Sequence, residues 1–123
     1  MIASKAGSLV TGLYTGTEAG RLDWRKTDIE GTYQLTLPEH AIQITEELRS
    51  SQLETCVQIS LFDKAGELID RFTDEDFGTE TANARGFAIM MGNLYRRARG
   101  YALGLEQAYD AVLKEIADPD VPF

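Results

Sequence analysis

The chain has 123 residues, of which 43% are hydrophobic and 26% are charged. This length and composition predict one folded domain over residues 1–123 and exclude a disordered chain. With 20 acidic and 12 basic side chains, the formal net charge is -8, so the average field repels nucleic acid and anionic membrane surfaces. Cys56 is the only cysteine, which excludes an internal disulfide. The N-terminus has no apolar run of signal-peptide or membrane-spanning length, so we expect a cytoplasmic protein without a membrane partner.

The first predicted element is a helix over residues 8–20, where apolar side chains recur at helical spacing and Gly20 provides a C-terminal stop. Gly12 and Gly16 lie inside this helix, where glycine costs about 1 kcal/mol relative to alanine. With Gly20 they recur every fourth residue and therefore share one side of the helix, which allows another backbone to approach closely. We expect this side to pack against the sheet or against a second copy of the chain.

Between Arg21 and Thr73, apolar side chains alternate with polar ones, which is the period of a strand with one buried face. Five such segments predict an antiparallel sheet with one packed face and one wet face. Their alternating residues are Leu22 and Trp24; Tyr33, Leu35 and Leu37; Ile42 and Ile44; Val57, Ile59 and Leu61; and the stretch 67–72. The polar segment 46–54 is compatible with a loop or with one or two helical turns.

Two amphipathic helices are predicted in the last third, where apolar residues keep i, i+3, i+4, i+7 spacing from Ala84 to Ala98 and again from Leu105 to Ile116. Gly104 suits the left-handed position that ends the first of these helices, and Pro119 stops the second. The predicted fold class is therefore α+β: a five-stranded antiparallel sheet with an N-terminal helix and two C-terminal helices packed on one face.

Nucleophilic catalysis has little support in the residue types. His40 and Cys56 are each the sole residue of their kind, but His40 follows Pro38 and Glu39 in a predicted turn. A lone cysteine in a strand is usually a small packing residue. No third residue orients the two as a catalytic pair requires. We expect no catalytic residues and no cofactor.

A cluster of acidic residues before the first C-terminal helix is the one candidate for metal binding. Its members are Asp74, Glu75, Asp76 and Glu80. If Asp74 is the first position of a calcium loop, Gly78 comes one residue early and Arg85 stands where the bidentate glutamate is required. We therefore expect no metal site, and expect these acids to favour the positive end of the following helix, with Thr79 or Thr81 as its N-cap.

Basic side chains concentrate on the polar face of the first C-terminal helix. The set comprises Arg85, Arg96, Arg97 and Arg99. Four guanidinium groups are few for nucleic-acid binding by a protein of this net charge, so a nucleic-acid partner is disfavoured. We expect a solvated face whose arginines pair within the chain. The expected partners are Asp74, Asp76, Glu106 and Asp110.

Three segments carry a resemblance to known sequences. They are GRLDW at 20–24, LYRRAR at 94–99 and ALGLE at 102–106. Together with the element order they resemble short bacterial proteins of uncharacterised function, which implies a bacterial setting and no catalytic residues. A fold-level similarity also links the chain to the small acidic dimeric chaperones of type III secretion, which share its element order if residues 46–53 are helical.

The predicted helices present more apolar surface than one five-stranded sheet needs. We therefore predict a non-enzymatic protein-interaction module that self-associates, most simply as a homodimer. Met90 and the exposed tyrosines are the expected contacts, because such side chains are enriched at interface cores. The alternatives are a chaperone-like acidic dimer, and a small-ligand-binding protein or small enzyme with a pocket between the sheet and the C-terminal helices. The candidate interface or pocket residues are Gly12, Gly16, Trp24, Tyr33, His40, Met90, Tyr95, Arg96, Arg97 and Arg99.

Overall fold

The structure is a computed structural model that describes residues 2–48, 55–77 and 82–117. In chain order its elements are helix α1 (Ile2–Glu18), strands β1 (Trp24–Lys26), β2 (Tyr33–Thr36), β3 (His40–Leu48), β4 (Thr55–Asp63) and β5 (Leu68–Thr73), a 3-10 turn (Asp74–Phe77), and helices α2 (Ala82–Ala102) and α3 (Leu105–Ala117). The predicted α+β class and element order are confirmed. The candidate caps Thr79 and Thr81, the stop at Pro119 and residues 49–54 lie outside the described residues.

The five strands form one antiparallel sheet in the order β1-β2-β3-β4-β5, so every strand pairs with its neighbour in sequence. The longest pairing joins β3 to β4, from His40 opposite Asp63 to Leu48 opposite Thr55. Residues 46–48 therefore belong to a strand and are not helical. The polar side chains of Glu46 and Glu47 concealed this from the sequence, because these exposed residues are held in the sheet by backbone pairing with β4.

One face of the sheet is apolar and forms most of the core. The rows that cross it are Trp24, Leu35, Ile42 and Leu61, and next to them Tyr33, Ile44, Ile59 and Phe72. Helix α1 adds Val10 and Leu13 to the same cluster, and helix α2 adds Met91, Leu94 and Ala98. The alternation in the sequence thus identified the strand side chains that join the core, but β4 is buried on both faces, because Cys56, Gln58 and Ser60 are also buried.

The other face of the sheet is polar. Register aligns a row of five residues across all strands, namely Arg25, Gln34, Gln43, Ser60 and Arg71. Neighbours in this row are hydrogen-bonded: Gln43 Nε2 donates to Gln34 Oε1 at 2.9 Å, and Arg71 Nε donates to Ser60 Oγ at 3.1 Å. This face is therefore polar in composition, as predicted, but it is not exposed to water at β4, where Gln58 and Ser60 are buried.

Helix α3 differs from the expectation that both C-terminal helices pack on the sheet. None of its residues is buried, and its main contacts are with α2. The reason is that α1 and α2 already cover the apolar face of the sheet, so the buried core of the described residues has no member from α3. Gly104, with φ of 69°, turns the chain between the two helices as predicted. Leu105 then rests over Gly100, where an added Cβ would lie 3.2 Å from Leu105 Cδ2.

Candidate functional site

Helix α3 carries an apolar stripe that faces solvent. Its members, hereafter the α3 apolar face, are Leu105, Tyr109, Val112, Leu113 and Ile116, each between 48% and 63% exposed. Their exposed surface is on the order of 500 Å², near the upper end of the largest apolar patches on monomers, about 300–600 Å². A stripe of this kind normally faces a protein core. The α3 apolar face is thus the feature of the described residues that most needs a partner.

The spacing within the α3 apolar face is that of a coiled-coil seam. Leu105, Tyr109, Val112 and Ile116 follow one another at intervals of four, three and four residues, which averages close to the 3.5-residue repeat. Leu113 flanks the seam. The opposite side of the helix carries Gln107, Ala111 and Lys114, so only one side of α3 is suited to pack against another helix.

The junction between α2 and α3 extends the exposed apolar surface. Tyr101 is 48% exposed and Leu103 is 43% exposed, and both lie within the four residues before α3. They are therefore further exposed apolar side chains close in sequence to the N-terminal end of the α3 apolar face.

An open groove of about 510 Å³ runs along α2 next to the end of β3. Its lining includes Glu46, Ile89, Gly92, Tyr95, Arg96 and Arg99. The groove therefore brings together three of the residues that were predicted for a site. Its volume lies within the range of small-molecule sites, about 300–1,000 Å³, but such sites usually enclose most of the ligand surface, whereas this groove is open to solvent.

Tyr95 links the groove to the core. Its hydroxyl donates a hydrogen bond to Gly31 O at 2.9 Å, and its ring lies 5.8 Å from that of Tyr33. Burial raises the pKa of Tyr95, and the neighbouring Tyr33 and Glu46 raise it further. The hydroxyl is therefore held as a protonated donor, and its role in the described structure is to fix the loop before β2 to helix α2.

Four of the candidate interface or pocket residues, Trp24, Tyr33, His40 and Tyr95, differ in burial. Trp24 is fully buried and donates from Nε1 to Thr17 Oγ1 at 2.9 Å, and Tyr33 packs in the core beside Tyr95. His40 is exposed at the start of β3, opposite Asp63. The three aromatic residues are thus buried between sheet and helices, whereas His40 is exposed.

The predicted glycine side of α1 divides into different environments. At Gly16 an added Cβ would lie 2.8 Å from Leu22 Cδ1, so the close neighbour is a side chain of the segment that follows the helix and not the expected backbone. Gly12 is exposed, with nothing within 4 Å of an added Cβ, and Gly20 has the φ of 71° that ends α1. Sequence reasoning missed Gly7, where an added Cβ would meet Phe87 Cζ at 2.8 Å. Gly7 allows α1 and α2 to approach.

Met90 was predicted as an exposed contact residue, but it is half-buried and packs against the core cluster. Its neighbour Ile89 is the exposed side chain of that turn, at 66%, and lines the groove. One position on a helix turns the side chain by about 100°, which moves a residue from the edge of the core to solvent.

The pairing of Arg97 differs from the expectation. Arg97 Nε lies 3.0 Å from Glu18 Oε1, so its partner belongs to α1 and not to the predicted set Asp74, Asp76, Glu106 and Asp110. Two of those expected partners accept hydrogen bonds from the backbone. Asp74 Oδ1 accepts from Val57 N at 3.1 Å, and Asp76 Oδ2 accepts from Thr73 N at 2.8 Å. Among residues 2–48, 55–77 and 82–117, no group of three or more His, Cys, Asp or Glu could hold a metal ion.

Within the same described ranges, no helix combines the length and apolar character needed to cross a membrane. Comparison of the chain with protein-family models, with curated proteins and with solved structures gives no match.

Proposed function

We propose that this protein is a non-enzymatic protein-interaction module that associates with a second copy of itself through the α3 apolar face. The observation that carries the proposal is the exposure of all five apolar residues of this face on a helix without a buried residue. A helix of 13 residues is marginal in water on its own, because most helical stability in proteins comes from packing of the apolar face. Burial against a partner supplies that packing.

The area of the face fits a second copy. Two α3 apolar faces packed together remove on the order of 1,000 Å² from water, which is about the minimum for a specific interface. The exposed Tyr101 and Leu103 at the junction add to this area. An identical chain is also the partner that is present whenever the protein is made, and a twofold pair lets each copy cover the other's face.

The two alternative functions have less support. A ligand-binding role rests on the open groove beside α2, but Trp24 and Tyr33 are used in the core and His40 lies elsewhere. The chaperone-like dimer shares the proposed self-association and the acidic charge. Its similarity in element order required a helical segment at 46–53, and residues 46–48 lie in β3.

Sedimentation equilibrium on two matched double variants tests the proposal. Tyr109→Glu with Leu113→Glu adds two negative charges at i, i+4 spacing to the α3 apolar face. Gln107→Glu with Ala111→Glu adds the same charges at the same spacing to the opposite side of α3. We expect wild type and the second variant to have the mass of two chains and the first variant the mass of one, because a charge loses its hydration in an apolar interface. Equal masses for the two variants would contradict the proposal.

A further inference from the structure

The order of residues in the α3 apolar face also indicates how two copies meet. We infer that the α3 helices of two copies pair antiparallel about a twofold axis between positions 110 and 111. Leu105 of one copy then lies opposite Ile116 of the other, and Tyr109 lies opposite Val112. This inference rests on the proposed function and specifies the partner and the geometry of the same site.

The spacing of the four seam residues is the same in both directions along the helix. Its intervals of four, three and four residues are symmetric about the midpoint between positions 110 and 111. When one helix is reversed against the other, each seam residue therefore meets a seam residue. A closed twofold pair requires such self-complementarity, because the same patch is used on both copies. All four seam residues are covered in this register, and no apolar residue of the seam extends past the end of its partner.

The side-chain volumes also favour the antiparallel register. In an antiparallel pair, the large Tyr109 of one copy packs against the smaller Val112 of the other. The twofold axis repeats this contact, so both central layers of the pair contain one large and one smaller side chain. A parallel pair would place Tyr109 against its own copy and Val112 against its own copy, which makes one overfilled layer and one underfilled layer. Packing at protein density disfavours both. The two buried phenol groups of the parallel layer would also need hydrogen-bond partners.

The direction of the two helices and the position of the sheet-containing part of each copy give a third argument for an antiparallel pair. The macrodipoles of two adjacent helices attract when the helices run in opposite directions and repel when they run in the same direction. A helix of 13 residues is about 20 Å long, so an antiparallel pair separates the two sheet-containing bodies to opposite ends. Ile116 of each copy then reaches the α2–α3 junction of the other, where Leu103 and Tyr101 are exposed.

Cysteine cross-linking tests the register, because a disulfide forms only where two Cβ atoms approach within about 3.5–4.5 Å. One variant carries Leu105→Cys, and a second variant with a longer affinity tag carries Ile116→Cys. The natural Cys56 is buried, and wild type is oxidised in parallel as the control. We expect the mixture of the two variants to give a linked heterodimer on a non-reducing gel, and each variant alone to lack a linked homodimer.

The outcomes separate this inference from the proposed function. A two-chain mass together with linked homodimers of each single variant would show a parallel pair and overturn the inference alone. A two-chain mass without any linked species would also overturn it, because the two positions would not meet. A one-chain mass for wild type would overturn the proposed function and the inference together.

Discussion

At the scale of single residues, the glycines of α1 show that residues with the same four-residue spacing can have different physical roles. Gly12 is open and has ordinary helical backbone, whereas Gly16 is buried against Leu22. Gly12→Ala should raise the free energy of unfolding by about 0.5–1 kcal/mol, because alanine gains helix propensity at no steric cost. Gly16→Ala should lower it by about 1 kcal/mol, because its Cβ would lie 2.8 Å from Leu22 Cδ1 and 2.9 Å from Leu22 Cγ.

Urea unfolding of both variants at one protein concentration measures the difference. Effects of the same sign and size would contradict the two assigned environments. A loss of the two-chain mass in Gly12→Ala would place the glycine side of α1, and not α3, in the interface.

Tyr95 makes stability depend on pH. Its pKa in the folded state is raised by burial above the unfolded value of 10.0, so folding favours the protonated hydroxyl. The contribution is fully present below the unfolded pKa and is lost as the pH rises through the folded pKa. We expect wild type to lose stability above about pH 10, and Tyr95→Phe to lose less over the same range while being less stable at neutral pH by about 0.5–1.5 kcal/mol.

The comparison is cleanest in a Tyr14→Phe background, because a hydrogen bond to Glu18 also raises the pKa of Tyr14. Thermal unfolding of the single and double variants from pH 7 to 11 measures both effects. If the stability of Tyr14→Phe and of Tyr14→Phe with Tyr95→Phe fell in parallel above pH 10, Tyr95 would not be the responsible group.

Some residue roles could be predicted from the sequence and others could not. The positive φ of Gly20 and Gly104 follows from local helix-end chemistry, and both are confirmed. The contact of Gly7 with Phe87 and the ion pair of Arg97 with Glu18 depend on how α1 docks on α2. Local sequence does not contain that information, because the partners are far apart in the chain.

At the scale of elements, hydrophobic periodicity identified the type of each strand and helix, but not what each helix packs against. The period of 3.6 in α3 predicted a helix with one apolar side. It could not say whether that side faces the sheet, because this depends on which other helices cover the sheet. In the structure, α1 and α2 cover it. Likewise, the extension of β3 through residues 46–48 follows from pairing with β4 and not from the local polar pattern.

The same element gives a prediction about dynamics. If packing against a second copy stabilises α3, its amide protons should exchange slowly at high protein concentration and quickly after dilution below the dissociation constant. Hydrogen exchange followed by mass spectrometry measures this, with the central pairing of β3 and β4 as the internal control. Protection of α3 that is unchanged by dilution would mean that α3 is stabilised within one chain.

At the scale of the whole molecule, the fold has a complete core without its last helix. The sheet has one polar face, and α1 and α2 cover the other. α3 projects from this body through the turn at Gly104 with its apolar side exposed. The sequence predicted the excess of apolar helix surface, and the structure locates it on α3.

The mass of the protein in solution tests this account most directly. Sedimentation equilibrium of the wild type should give twice the chain mass of 13.6 kDa, and Tyr109→Glu with Leu113→Glu should reduce it to a single chain without loss of the folded circular-dichroism spectrum. A wild-type protein that stays at 13.6 kDa at high concentration would contradict the account.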